Sequence, residues 1–377
     1  MTKLRKTVII LGLLVGMSGS ALAEAGPGTT PSAAYQTKTV AEGLDHPWSL
    51  AFLPDGTMLV TERAGRLRVI RNGKLEPEPV GGLPPIYVSS QAGLFDVVPH
   101  PQFATNRFIY LAFASGHRGA NATRVIRARF DGVNLTDAKL IFEAKPAKDT
   151  NVHYGGRMAF LADGTLLITL GDGFEYREQA QKLNSDLGKI VRIRDDGGVP
   201  ADNPFVGRSD ARPEIWSYGH RNVQGIVVDA ETGIVYSHEH GPRGGDEINI
   251  IRPGLNYGWP VITTGLDYTG ALITPFTEMP GMEQPLLQWT PSIAPAGFAI
   301  YHGDLFPAWK GDLLVSALAA KKLVRVDMEG GKPVGQEDLL SEMGERLRDV
   351  RVGPEGAVYV LSDAAQGRVI RLEPATQ

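Results

Sequence analysis

The sequence predicts an all-β protein, a six-bladed β-propeller. Three observations lead there. A hydrophobic strand, a Gly-containing turn and a second hydrophobic strand recur six times along the chain. Gly 45 and Pro 26 in 377 residues supply the turns that many short strands need. Helical periodicity is nearly absent, and only one short helix is expected, over Gln179 to Leu187.

The first unit, WSLAFLPDGTMLVTERAGRLRVI, runs from Trp48 to Ile70. The others run from Gly93 to Ala114, Gly156 to Gly173, Gln224 to Gly241, Ala296 to Val326 and Arg348 to Leu372. β-branched and aromatic residues alternate around Asp-Gly or other Gly turns, which is hairpin chemistry. Six four-stranded units set radially protect their sheet edges by closing on themselves. The competing arrangement is a β-sandwich with coincidental repeats. A propeller of this size forms one domain, placed here at residues 37–377. Its inter-repeat loops would carry the chemistry.

The N-terminus reads as an export signal over residues 1–23. Lys3, Arg5 and Lys6 precede the short apolar run TVIILGLLVGMSG, and SALA ends in a small-x-small cleavage pattern at Ala23. The apolar run is shorter than the ~20 residues of a membrane span, so no stable membrane insertion is expected. Removing the three cations takes the formal charge from −4 to −7. Residues 24–36, EAGPGTTPSAAYQ, read as a flexible leader. A periplasmic or secreted location follows. The chain has no cysteine, so thiol, iron–sulfur and disulfide chemistry are excluded and the core or bound ions must hold it together. No basic block suggests nucleic acid.

Candidate chemistry gathers ahead of the repeats. NVHYGGRMAF places His153 before the third unit, with Gly155 and Gly156 clearing space for a ligand or a backbone. LGDG places Asp172 at the end of that hairpin, where a carboxylate can fix one imidazole nitrogen and leave the other as a base. A purely structural histidine is the alternative. No GxSxG or HExxH motif is present, so proton abstraction fits better than acyl transfer. WSYGHRNVQG puts Arg221 and Asn222 before the fourth unit, and Gln91 precedes the second. GERLRDVRVG puts Arg346 and Arg348 on one face of an extended segment before the sixth, suited to a multiply anionic ligand. Solvated surface arginines are the alternative.

The stretch HEHGPRGGDEINII, from His238 to Ile251, joins a Gly-Pro bend to Asp246 and Glu247. Outward carbonyls and a carboxylate suit a hard cation such as Ca²⁺, and NYGWP supplies another bend nearby. A plain structural loop with a surface acid fits the spacing equally well.

Together these motifs resemble the quinoprotein aldose dehydrogenases, soluble sugar dehydrogenases that use pyrroloquinoline quinone (PQQ). The likeness runs from LDHPWSLAFLPDG through NVHYGGR, EIWSYGHRNVQG, EHGPRGGDEINI and NYGWP to RLRDVRVGPEG. The resemblance implies a six-bladed propeller that oxidises aldoses at C1 to lactones and passes electrons to an external acceptor. It implies His153 as base, Asp172 as its orienting acid and Arg221 beside the reacting oxygen. It implies PQQ contacts from Gln91, Arg221, Asn222, Tyr268, the Ala317–Leu318–Ala319 turn, and the Arg346–Leu347–Arg348 segment. It implies one Ca²⁺ on PQQ held by the carbonyls of Gly241 and Pro242, and a structural Ca²⁺ at Glu247 and the Tyr257 carbonyl. One departure is visible: where the family often has a lysine after AL, this chain has Ala319, with Lys321 and Lys322 further on. Two rivals remain, a calcium-dependent lactonase and a catalytically silent binding propeller.

Overall fold

The computed structural model describes residues 33–375. Residues 1–23, read above as an export signal, and residues 24–32 of the expected leader lie outside the described residues. The leader is shorter than expected at its other end. Tyr35 and Gln36 already belong to the strand Tyr35–Leu44.

Six antiparallel four-stranded sheets form the blades. Blade I is Pro47–Phe52, Met58–Glu62, Arg66–Arg71 and Lys74–Leu75. Blade II is Leu94–Pro99, Phe108–His117, Ala120–Phe130 and Leu135–Glu143. Blade III is Met158–Phe160, Leu166–Thr169, Lys189–Ile193 and Ile215–Tyr218. Blade IV is Val223–Val228, Val235–Glu239, Asp246–Ile251 and Leu287–Trp289. Blade V is Pro295–Ile300, Leu313–Ala317, Lys322–Glu329 and Lys332–Leu339. Blade VI is Leu347–Val352, Val358–Ser362 and Gly367–Pro374, completed by Tyr35–Leu44.

Each predicted repeat is thus one blade, and the N-terminal strand closes the ring on the C-terminal blade. Its register runs antiparallel from Tyr35 opposite Pro374 to Leu44 opposite Gly367. The second strand of a blade is covered on both sides, which is why Met58–Glu62, Leu313–Ala317 and Val358–Ser362 are buried at every position. Such strands read as apolar runs rather than as alternating patterns. Among the described residues no helix is long and apolar enough to cross a membrane.

The helix expected over Gln179 to Leu187 is only a 3-10 turn, Arg177–Gln181. Its continuation is prevented by capture of its carbonyls. Lys189 Nζ donates to Gln179 O and Ala180 O, at 2.8 and 3.0 Å, and Gly219 N–H also takes Ala180 O.

Six inner strands leave a channel, and Arg157 fills it. Its guanidinium reaches the Gln224, Ala296 and Arg348 carbonyls at 3.0–3.3 Å and the Trp48 carbonyl at 3.5 Å. It pairs with Asp349 at 3.0 Å and Asp96 at 3.6 Å, and lies over the Trp48 ring. Arg351 pairs with both aspartates, so the buried charges balance. Arg157→Leu leaves Asp96 and Asp349 short of a cation in a dry centre. A destabilisation of about 3–5 kcal/mol is expected in urea unfolding. A change under about 1 kcal/mol would mean that the blades are held together without it.

Candidate functional site

Strand polarity decides where the loops meet. In each blade the innermost strand leaves one face and the second strand returns to it. The segments before innermost strands and the turns after second strands therefore share that face. Gln91, His153, Arg221, Asn222 and Arg346 lie in the first kind of segment, and Asp172, Gly241, Pro242 and Leu318 in the second.

His153 is 5 % exposed and sits at φ 52°, a left-handed backbone held from several sides. Its N–H donates to Gln91 Oε1 at 2.8 Å. The buried Lys148 ammonium donates to Thr150 O and Val152 O, at 2.8 and 3.0 Å, and fixes the turn from behind. Burial pulls that amine down to about 7. Gly155 clears space for a backbone and also lines the cavity at the channel mouth, while Gly156 is needed for packing. A Cβ at Gly155 would meet the Thr169 carbonyl at 2.5 Å, and one at Gly156 the Phe95 ring at 2.7 Å.

The His153 ring bonds Asp172 Oδ1 through Nδ1 at 2.7 Å. Trp259 Nε1–H and Phe174 N–H hold the same carboxylate, at 2.8 and 2.7 Å. Burial pushes Asp172 up, but the His153 hydrogen bond and the neighbouring positive charges outweigh it and hold the carboxyl below its usual range. Burial also lowers His153, with Asp172 pulling the other way. An ionised Asp172 beside a neutral imidazole fixes the proton on Nδ1. Nε2 then carries a lone pair, and no protein partner takes it among the described residues. His153, Asp172, Arg221, Pro242, Trp259 and Tyr268 line a cleft of about 420 Å³. Phe174 meets the His153 ring edge-on, and Tyr268 stacks on Phe174 at the lip.

Arg221 crosses from this cleft to the bend at Gly241. Its Nη1 donates to His240 O and Gly241 O at 3.1 and 2.7 Å, and its backbone N–H meets Glu239 Oε2 at 2.5 Å. Asp246 turns inward as a staple, accepting from Gly241 N–H, Ser292 Oγ and Ala294 N–H at 2.6–2.9 Å. Glu247 lies opposite Glu239 in the sheet. Burial, with Glu239 beside it, pushes the Glu247 carboxyl up to about 8. A small pocket is lined by Gly241, Glu239, Glu247 and Tyr257, with Arg221 and His240. Among the described residues no cluster of three or more His, Asp or Glu forms a metal centre. Any cation here would therefore rely on carbonyls with the two glutamates. Those oxygens suit Ca²⁺, although Arg221 and His240 line the same pocket and Arg221 Nη1 already donates to Gly241 O.

A second cavity, about 220 Å³, opens at the channel mouth above Arg157. Gln91, Asn222, Leu318, Arg346 and Arg348 line it, together with Arg63, which sequence reasoning missed. The arginines expected to share a face do so, and both pair with Asp363, at 3.0 and 3.3 Å. This set of cations fits a polycarboxylate such as PQQ. Other expected contacts are not brought to the cavity by their side chains. Leu347 and Ala317 are buried in apolar clusters, and Ala319 is exposed. The nearby lysines do not replace it: Lys322 pairs with Asp338 at 2.7 Å and Lys321 is exposed.

A chain from Ser217 through His220 to Glu239, at 2.9 and 2.8 Å, has the composition of a hydrolase triad. Ser217 and His220 are fully buried, so no substrate reaches them. Arg63 and Trp259 carried a signal only in hindsight. Arg63 follows the second strand of blade I as Asp172 follows that of blade III, and Trp259 stands in the quoted NYGWP.

The profile of the family described as Glucose / Sorbosone dehydrogenase matches residues 44–371. The aldose sugar dehydrogenase of Escherichia coli K12 is 41% identical over 91% of this chain and 94% of its own length. A solved glucose dehydrogenase, 44% identical, superposes with a TM-score of 0.88 over 90% of this chain and 100% of its own. The PQQ-bound aldose sugar dehydrogenase of Streptomyces coelicolor, 28% identical, gives 0.75 over 91% and 99%. The repeat, the ring and the length of these matches agree: this chain belongs to the glucose/sorbosone dehydrogenase family of sugar dehydrogenases.

Proposed function

We propose that the protein oxidises aldoses at C1 to lactones with PQQ and Ca²⁺, using His153 as the general base. The carrying observation is the buried His153–Asp172 pair with Nε2 open to a cleft beside an arginine-lined cavity. When bound, PQQ would supply a hydride acceptor and Ca²⁺ a Lewis acid for it. The PQQ-bound relative supports the choice of cofactor.

The chain's own residues then have definite work. His153 Nε2 takes the proton of the C1 hydroxyl. Asp172, held by Trp259 and Phe174, keeps the ring in register and stabilises the imidazolium that forms. Arg221 offers positive charge where oxygen charge develops. Arg346 and Arg348 bind cofactor carboxylates, with Gln91 and Asn222 as polar walls. Gly241 and Pro242 would offer carbonyls to one Ca²⁺, and Glu247 with the Tyr257 carbonyl would hold a structural one. Residues 1–23 direct export, so the reaction takes place in the periplasm or outside the cell, with an external electron acceptor.

Mixing apo protein with PQQ, Ca²⁺ and glucose should bleach the oxidised quinone only when all are present. His153→Gln should lower kcat by roughly 10²–10⁴ with little change in PQQ affinity. Equal losses in both would make the residue structural. Because burial lowers the His153 pKa, the acid limb of kcat/KM should fall below pH 6.5. The residual activity of Asp172→Asn should move that limb lower still, since a raising influence is lost.

The ion leaves a stability signature. Glu247 is pushed from 4.5 to about 8 in the folded protein, so without a cation the folded state holds the extra proton. Chelator-treated protein should therefore lose stability as pH rises from about 4.5 to 8. Ca²⁺ should reverse the loss, and Glu247→Gln should lose less stability over that range and gain less from Ca²⁺, as read by thermal unfolding. A chelator-insensitive wild type would sink the structural calcium.

A further inference from the structure

The cavity at the channel mouth contains more positive charge than its internal partners neutralise. Arg346 and Arg348 share one carboxylate, Asp363. Burial would raise Asp363, but the charges of Arg348, Arg346 and Arg63 hold it below the usual range. The Arg348 Nε is buried without a hydrogen-bond partner. Arg63 lines the same cavity from blade I, and its guanidinium has no hydrogen bond or ion pair among the described residues. Only its backbone is engaged, through His46 O and Leu94 N–H.

Three guanidinium groups facing one carboxylate leave an excess of two positive charges. Arg348 is buried, Arg63 half-buried and Arg346 exposed, and positive charge taken out of water in this way is costly unless an opposite charge enters. An arginine free at its head and aimed into such a cavity is a planar two-pronged donor waiting for a carboxylate. We propose that Arg63 is a third carboxylate-binding arm of this cavity, opposed to Arg346 and Arg348 across the junction of blades I and VI. The identity of the ligand rests on the PQQ reading above; the charge argument rests on the cavity alone.

The test measures binding, not turnover. Apo wild type, Arg63→Gln and Arg63→Lys are titrated with PQQ at low and high salt, following tryptophan fluorescence. Arg63→Gln should weaken binding about tenfold or more at low salt. It should also flatten the salt dependence, because one charge pair is gone. Arg63→Lys should keep the salt dependence while recovering only part of the affinity. A merely structural Arg63 would leave the salt dependence unchanged, and thermal unfolding of each apo variant exposes a folding defect. Binding by Arg63→Gln equal to wild type in both salts overturns the inference. Benzene-1,3,5-tricarboxylate, titrated in parallel by calorimetry, separates the two readings. If wild type binds it but not PQQ, and Arg63→Gln loses it, the arm stands and the cofactor reading falls. If wild type binds neither, both fall.

Discussion

Everything in this ring is referred to Arg157. A propeller has a problem at its axis, where six inner strands converge and none can bond across the gap. One guanidinium solves it here. Arg157 belongs to blade III and touches backbone or carboxylate of blades I, II, IV, V and VI. Asp96 is fixed in turn by Ser49 Oγ and Met158 N–H, and Asp349 by Leu50 N–H. The network therefore sets the height of each inner strand against its neighbours. A buried ion cluster is weak evidence for net stability, because desolvation opposes the attraction. Its effect is to allow one alignment and to penalise others by leaving a charge unpaired.

That alignment carries through to the chemistry. The carbonyl of Arg348 bonds the hub while its side chain reaches the upper cavity. The carbonyl of Gln224 does the same, with its side chain in the cavity wall. His153 lies four residues before Arg157, in the HYGGR segment whose glycines are wedged against Thr169 and Phe95. A shift of one blade along the axis would move the arginines relative to the base. The hub also closes the channel beneath the cavity, so the cavity is reached from one face only. At the other end the mouth is lined largely by apolar side chains around Arg351.

The ring was readable from the chain because blades repeat, and repetition turns weak hairpin signals into a strong one. His153, Asp172, Arg221 and Arg346 drew notice in the sequence because they stand just outside strand ends. Other features depend on distance in space and left no local trace. The strand Tyr35–Leu44 pairs with residues more than three hundred positions away. Arg157 looks like any charged residue following a Gly pair. Arg63 sits in a turn, TERAG, where a solvated arginine is the ordinary expectation. The helix expected over Gln179 to Leu187 failed because its carbonyls are taken from outside the window, by Lys189 two residues beyond it and by Gly219 far along the chain.

The charges of the site are divided rather than neutralised. The upper cavity has three arginines against Asp363, while the pocket behind the Gly241 bend has Glu239 and Glu247 facing each other. Arg221 stands between, its backbone N–H on Glu239 and its guanidinium on Gly241 O. Direct pairing of the two sets would be cheaper for folding, and the rigid blades prevent it. An anion in one compartment and a cation in the other would each relieve a desolvation cost that the fold imposes. Asp172 and His153 are the exception, for they are matched to each other at 2.7 Å and gain nothing from a ligand's charge. On the proposed function, a base that must stay neutral to accept a proton is placed where its partner is built in, and the unmatched charges are left for ligands.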